Sequence, residues 1–192
     1  DRPIDLFNIC EQDLTRLPQA SMNTIESLGN ISMHYTSLFL DKREYLQQTD
    51  RTELRSASYL YNLFNRLGSK RCALCGCEIP EIIQGAHIWG VAQISRTSEL
   101  DDETKFGHAV SGHNGLWLCQ NHHKLFDANI ILLDNDGYVR IKDSLVTDDV
   151  AFIRNTTFKP SLDARVMSDE FRGYLARRNE TVDLTHSHRL AI

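Results

Sequence analysis

An α+β fold built around a small ββα unit is what this sequence predicts, and three observations predict it. Two apolar runs, Ile82–Trp89 and Leu116–Leu118, read as short strands. The second runs directly into Gln120–Ala128, enough chain for about two helical turns. Beyond it, Ile130–Leu133 and Tyr138–Ile141 flank Asp134-Asn135-Asp136-Gly137, a turn signal that reads as a hairpin.

At 192 residues and 41% hydrophobic content the chain can bury a substantial core. No stretch approaches the roughly 20 apolar residues of a membrane span, and no basic-then-apolar secretion signal opens the chain, so no membrane association and a cytoplasmic location are expected. Residue 1 is Asp rather than Met, which points to a trimmed chain or a piece of a longer one. The five cysteines include the close set Cys72, Cys75 and Cys77. An odd count at that spacing fits metal binding in a reducing compartment better than a disulfide framework, and Cys10 reads as a buried thiol.

The net charge of −5 argues against indiscriminate binding to polyanions, but the charge is unevenly spread. Lys and Arg against Asp and Glu number 4 and 8 over residues 1–50, 5 and 1 over 51–71, 3 and 9 over 72–136, and 9 and 8 over 137–192. The one basic block therefore lies just before the cysteines, with Arg51, Arg55, Arg66, Lys70 and Arg71.

Residues 1–50 form a first segment of unknown role, with one or two helices expected between Thr24 and Leu46 and a break at Gly29-Asn30. Residues 51–142 hold the core. Helical spacing of Leu54, Ala57, Leu60, Leu63, Phe64 and Leu67 predicts a helix from Thr52 to Leu67, with Gly68 as its C-cap. Cys72-Ala73-Leu74-Cys75-Gly76 has the form of a zinc-knuckle turn and supplies two thiolates. Cys119 and His122, again with two residues between, supply the other half. A Cys3His set fills all four positions of a tetrahedral zinc and leaves none open, so this ion is read as structural, with Cys77 as a competing ligand.

His87 stands alone in an apolar strand, where a histidine is ordinarily a core residue. Its meaning changes with Asn114-Gly115 ahead of the second strand and His122-His123 in the helix after it. Adjacent helical residues point about 100° apart, whereas His123 and Asp127 share a face, so the helix can present two ligand sets in two directions. With His on the first strand, Asn before the second and His on the helix, the ββα unit is arranged to surround a second cation.

Ala86-His87-Ile88, Asn114-Gly115 and His123-Lys124-Leu125-Phe126-Asp127, in that order, resemble the HNH (His-Me finger, ββα-metal) endonucleases, and within them a subgroup of bacterial restriction and defence nucleases. The likeness covers about residues 55–142. It implies a zinc-stabilised ββα-metal core that hydrolyses double-stranded DNA and leaves 5′-phosphate and 3′-hydroxyl ends. It assigns His87 as general base, Asn114 as the group orienting that base, and His123 as ligand to a catalytic divalent cation, Mg2+ or Mn2+. Many family members carry Asp before the base His as a metal ligand; Ala86 stands there, and Asp127, one turn after His123, is the natural substitute. Contacts to DNA are expected from the basic block and from Lys124.

Residues 90–113 read as a long polar connection, functional or mobile, with Asp101-Asp102-Glu103 as a helix start, His108 as a surface group and His113 as the rival of His87. Residues 143–192 read as a helical extension, with a helix from Ser161 onward through Phe171 and Leu175 whose Arg172, Arg177 and Arg178 are further candidates for phosphate contacts. Taken together the sequence points to a restriction endonuclease, dimeric if its target is palindromic. A nonspecific effector nuclease of an anti-phage system, or a noncatalytic zinc module that binds nucleic acid, are the alternatives.

Overall fold

The computed structural model describes residues 11–30, 32–34 and 54–191. The chain divides into two compact units, Asp1–Ala57 and Ser58–Ile192. The first contains helices α1 (Glu11–Arg16) and α2 (Gln19–Gly29). Pro18 precedes α2 in extended conformation, and α2 stops where Asn30 turns left-handed at φ 48° and its N–H bonds Glu26 O. The break expected at Gly29-Asn30 is therefore a helix end, although the helix begins earlier than Thr24. Cys10, Arg51 and the helical stretch expected over 35–46 lie outside the described residues.

Helix α3 (Leu54–Leu67) has strong amphipathic spacing and buries Tyr59, Leu63 and Phe64. It ends as expected at Gly68, left-handed at φ 75°, whose N–H donates to Phe64 O. The buried face lies on the hairpin of β1 (Ile83–His87) and β2 (Gly115–Cys119), antiparallel with Ile83 opposite Cys119 and His87 opposite Gly115. Close approach requires glycine on both strands: a Cβ on Gly85 would lie 2.5 Å from Leu60 Cδ2, and one on Gly115 would collide with the Tyr59 hydroxyl. All five residues of β2 are buried, as a strand covered on both faces must be.

The segment between the strands is not an open connection. It folds into α4 (Val91–Arg96) and α5 (Asp102–Val110), followed by a 3-10 turn at Gly112–Asn114. The Asp101 carboxylate caps α5 by accepting from Thr104 N at 2.7 Å, while Asp102 and Glu103 sit favourably in its first turn. The acidic triplet is thus a helix start.

Helix α6 (Gln120–Asp127) begins with no intervening loop, because Cys119 is both the last residue of β2 and the helix N-cap. The expected hairpin follows as β3 (Ile131–Leu133) and β4 (Val139–Lys142), with Gly137 at φ 82° in its turn. A third strand, β5 (Ser187–Arg189), extends this sheet by pairing with β4. The C-terminal extension is accordingly not purely helical: helices α7 (Thr147–Thr156) and α8 (Asp169–Asn179) precede this strand. α8 starts at Asp169 rather than near Ser161, because Ser168 caps it by accepting from Phe171 N and the chain ahead is occupied by a separate 3-10 turn at Ala164–Val166. Phe171 and Leu175 are fully buried, each burial contributing about 1.5–3 kcal/mol. The α+β class holds, and no described helix is long and apolar enough to cross a membrane.

Candidate metal centre and active site

The junction between β2 and α6 gathers the first ligand set. Cys72 and Cys75 come from a tight turn in which Gly76 adopts φ 71° and the Cys72 N–H donates to Cys77 O at 2.8 Å. Cys119 caps α6, and His122, three residues on, points back over that end. One ligand atom from each of Cys72, Cys75, Cys119 and His122 lies within 4.8 Å of the others. Cys77 is not in this group among the described residues; its carbonyl closes the turn instead.

The geometry fits zinc. Cys75 Sγ and Cys119 Sγ are 3.8 Å apart, and tetrahedral ligands with Zn–S of about 2.3 Å are separated by about 3.8 Å. His122 Nδ1 stands 3.2 Å from Cys119 Sγ and 3.5 Å from Cys72 Sγ. The other imidazole nitrogen, Nε2, is 3.1 Å from the buried Thr157 hydroxyl, so an Nε2–H donated to Oγ1 leaves Nδ1 free to coordinate. The thiols are unevenly poised. Burial raises Cys72, but hydrogen bonds from His122 and from the backbone of Cys119, Leu74 and Cys75 outweigh it and bring the thiol down to about 6. Burial pushes Cys75 up to about 12 and Cys119 upward as well. A divalent ion bound there could hold all three as thiolates.

The second set sits on the same hairpin and helix. His87 closes β1, its ring stacked on Tyr59 with centroids 3.8 Å apart and planes inclined by 16°. Its Nε2 lies 2.9 Å from Ala109 O, at the end of α5. A carbonyl only accepts, so Nε2 carries the proton and Nδ1 keeps a lone pair. Burial lowers the His87 pKa; the Ala109 carbonyl opposes this, His123 adds to it, and Asp127 opposes it. Burial therefore favours the neutral form of the imidazole.

On α6, His123 Nε2 is 3.4 Å from Asp127 Oδ2, and His123 Nδ1 is 2.8 Å from Gln84 Oε1 on β1. Two cis ligands about 2.1 Å from one small cation stand about 3.0–3.4 Å apart, so His123 and Asp127 fit a shared ion with room for oxygen ligands from outside.

Asn114 is fully buried and does not touch the His87 ring. Its Oδ1 accepts from Trp89 N at 2.8 Å, while Nδ2 donates to Trp89 O at 3.0 Å and His108 O at 3.1 Å. It ties the chain just after His87 to the end of α5, one residue from the carbonyl that holds the imidazole. Its link to His87 therefore runs through the backbone. His113, by contrast, bonds the Ser168 hydroxyl at 2.9 Å, and His108 bonds the Tyr174 hydroxyl at 2.9 Å beside the Trp89 ring.

The basic residues divide. Arg66 turns inward, its Nη1 donating to Gly112 O at 3.0 Å and Gly115 O at 3.1 Å and its Nη2 to Val166 O, so it braces the entry to β2. Arg71 is exposed and paired with Glu78 at 3.2 Å. Lys124 is exposed on α6 beside His123, Lys70 is partly buried, and the side chain of Arg55 lies outside the described residues. Arg178, a candidate for phosphate contact, is buried: it donates to Ile88 O at 3.2 Å, Phe126 O at 2.8 Å and Asn129 Oδ1 at 2.7 Å, and lies over the Phe126 ring. It joins the end of β1 to the end of α6. Arg172 bonds Asn135 O, and Arg177 lies over the Trp89 ring.

Sequence reasoning missed Gln84, Ala109, Tyr59, Thr157 and Arg178 as parts of this arrangement. Gln84 was signalled, as the lone polar side chain before Ala86 in an apolar strand; Ala109 acts through its backbone and carries no signal. Residues 72–134 match the family model described as HNH endonuclease, a span that includes both ligand sets, His87 and Asn114. No curated protein matches the chain.

Proposed function

We propose that the chain is a metal-dependent endonuclease that hydrolyses DNA phosphodiester bonds by a one-metal HNH mechanism, as the nuclease of a bacterial restriction system. The observation that carries this reading is the setting of His87: Nε2 lies 2.9 Å from Ala109 O, burial lowers the pKa of the ring, and its charge is felt by His123 and Asp127, a pair that a structural zinc would not use. His87 Nδ1 takes the proton of a water attacking phosphorus. The Ala109 carbonyl and Asp127 favour the imidazolium that results. His123 and Asp127 would hold Mg2+ or Mn2+, which when bound supplies Lewis-acid stabilisation of the leaving 3′ oxygen. The 5′-phosphate stays with the product that gained the water oxygen. Asn114 keeps the base in place through Trp89 and His108, and the Cys3His zinc fixes the helix that bears the second ligand set. Exposed Lys124 and Arg71 serve the phosphate backbone, with Lys70, Arg51 and Arg55 as further contributors. A two-fold dimer would cut both strands of a palindrome.

Incubation of a defined plasmid with the protein and Mg2+, followed by mapping of the ends, tests the reading. Discrete fragments with 5′-phosphates are expected, and His87→Ala should lower the rate by about 10²–10⁴-fold with zinc content unchanged. An equal rate in that variant would remove His87 as base. Scattered cutting of unrelated plasmids would instead favour a nonspecific effector nuclease.

A further inference from the structure

We infer that Gln84 is a positioning residue of the cation site: it fixes the tautomer of His123 so that the Nε2 lone pair faces Asp127. The inference rests on the reading of His123 and Asp127 as cation ligands.

The strand register explains why Gln84 has this place. Along β1 the face that carries Gly85 and His87 lies against α3: a Cβ on Gly85 would meet Leu60, Tyr59 and Leu63, and His87 stacks on Tyr59. Alternation sends Gln84 and Ala86 to the other face, toward α6. Ala86 has no donor atom, so Gln84 is the only polar side chain that β1 offers there. Its Oε1 lies 2.8 Å from His123 Nδ1, although Gln84 is an exposed residue with other partners open to it in water.

The chemistry follows from what each atom can do. Neutral imidazole has one N–H and one lone pair. If Gln84 presents its carbonyl oxygen, Nδ1 must carry the proton, and the lone pair on Nε2 then faces the Asp127 carboxylate at 3.4 Å. Two acceptors that close repel unless a proton or a cation lies between them, so this tautomer is one that calls for an ion. If the amide is turned over, Nδ1 accepts, Nε2–H points at Asp127, and the ion is shut out. An amide at position 84 can support either arrangement. Ligating histidines generally depend on such an outer partner, and its loss weakens metal binding by about 10–100-fold.

The test uses the full chain with its zinc in place and reads Mn2+ binding by calorimetry and imidazole tautomers by long-range 1H–15N correlation. In the wild type without Mn2+, the His123 ring should show the Nδ1–H tautomer, because the exposed Asp127 carboxylate can turn into water and relieve the repulsion while Gln84 holds the proton on Nδ1. Gln84→Leu should lose that signature and bind Mn2+ about 10–100-fold more weakly with unchanged zinc content. Gln84→Glu, which only accepts, should keep the signature and bind at least as tightly as the wild type. Wild-type affinity in Gln84→Leu, or weakened binding in Gln84→Glu, overturns the role of Gln84. Failure of the underlying reading looks different: Mn2+ binding would then survive His123→Ala and Asp127→Ala as well.

Discussion

Replacing Cys72 by Ser opens the zinc site at the ligand that comes first in the chain, and the loss can be sized from the connectivity. An ion held there would join Cys72 and Cys75 to Cys119 and His122, closing a loop of nearly 50 residues that includes β1, α4, α5 and β2. A cross-link over that span removes about 4 kcal/mol of chain entropy from the unfolded state. Losing it would consume a large share of the 5–15 kcal/mol typical of a domain. For a cooperative unit of about 135 residues, with unfolding entropy near 2.1 cal/mol/K per residue, the shift in Tm is about −14 °C. Calorimetry with elemental analysis of the purified protein reads both quantities. Cys72→Ser should lose zinc and melt lower by that order, while Cys77→Ser, which changes a residue that takes part in the turn through its backbone, should keep both zinc and Tm. Full zinc occupancy in Cys72→Ser with Tm within a few degrees of the wild type would refute the Cys3His assignment.

Two further outcomes follow from other parts of the site. The His87 pKa is lowered by burial, and the base works only when neutral, so kcat/KM should rise with pH and level off below the ordinary histidine value of about 6.5; a limb titrating above that value would contradict a buried neutral imidazole. Arg178→Ala should cost on the order of 3–5 kcal/mol in denaturant unfolding, because Ile88 O, Phe126 O and Asn129 Oδ1 lose their donors inside the protein; a loss under about 1 kcal/mol would mean that water or a shifted side chain replaces the guanidinium.

How much of this was legible depended on whether a residue acts through its own chemistry or through position. The Cys3His set could be read from spacing because a tetrahedral ion demands it, and the hairpin from Asp136-Gly137 because a turn demands φ > 0. The start of helix α5 was legible at Asp101-Asp102-Glu103, but its extent was not, because its polar surface resembles a loop. Strand β5 gave no periodic signal: it is three residues long and exists because β4 offers an edge. Arg178 read as a surface charge, since nothing in Arg177-Arg178 says which guanidinium turns inward. The bond from His87 to Ala109 O lay beyond any motif, because every residue has a carbonyl and only the path of α5 selects this one.

Helix α6 would make the two proposed metal sites interdependent. Zinc at its N-terminal end would hold His122 by Nδ1 while Thr157 holds the opposite nitrogen, which fixes the rotation of the helix about its own axis. His123 is the next residue, about 100° around, so its direction is set once His122 is fixed. Gln84 then sets its tautomer from β1, and Arg178 anchors the far end of the helix to the residue following His87. A helix of two turns has little stability alone, and an error of 1 Å in a catalytic group can cost 10²-fold in rate. The closed zinc site and the buried arginine supply from outside the rigidity that so short an element lacks, which gives a physical reason why a site using one cation for chemistry would sit beside another used only for structure.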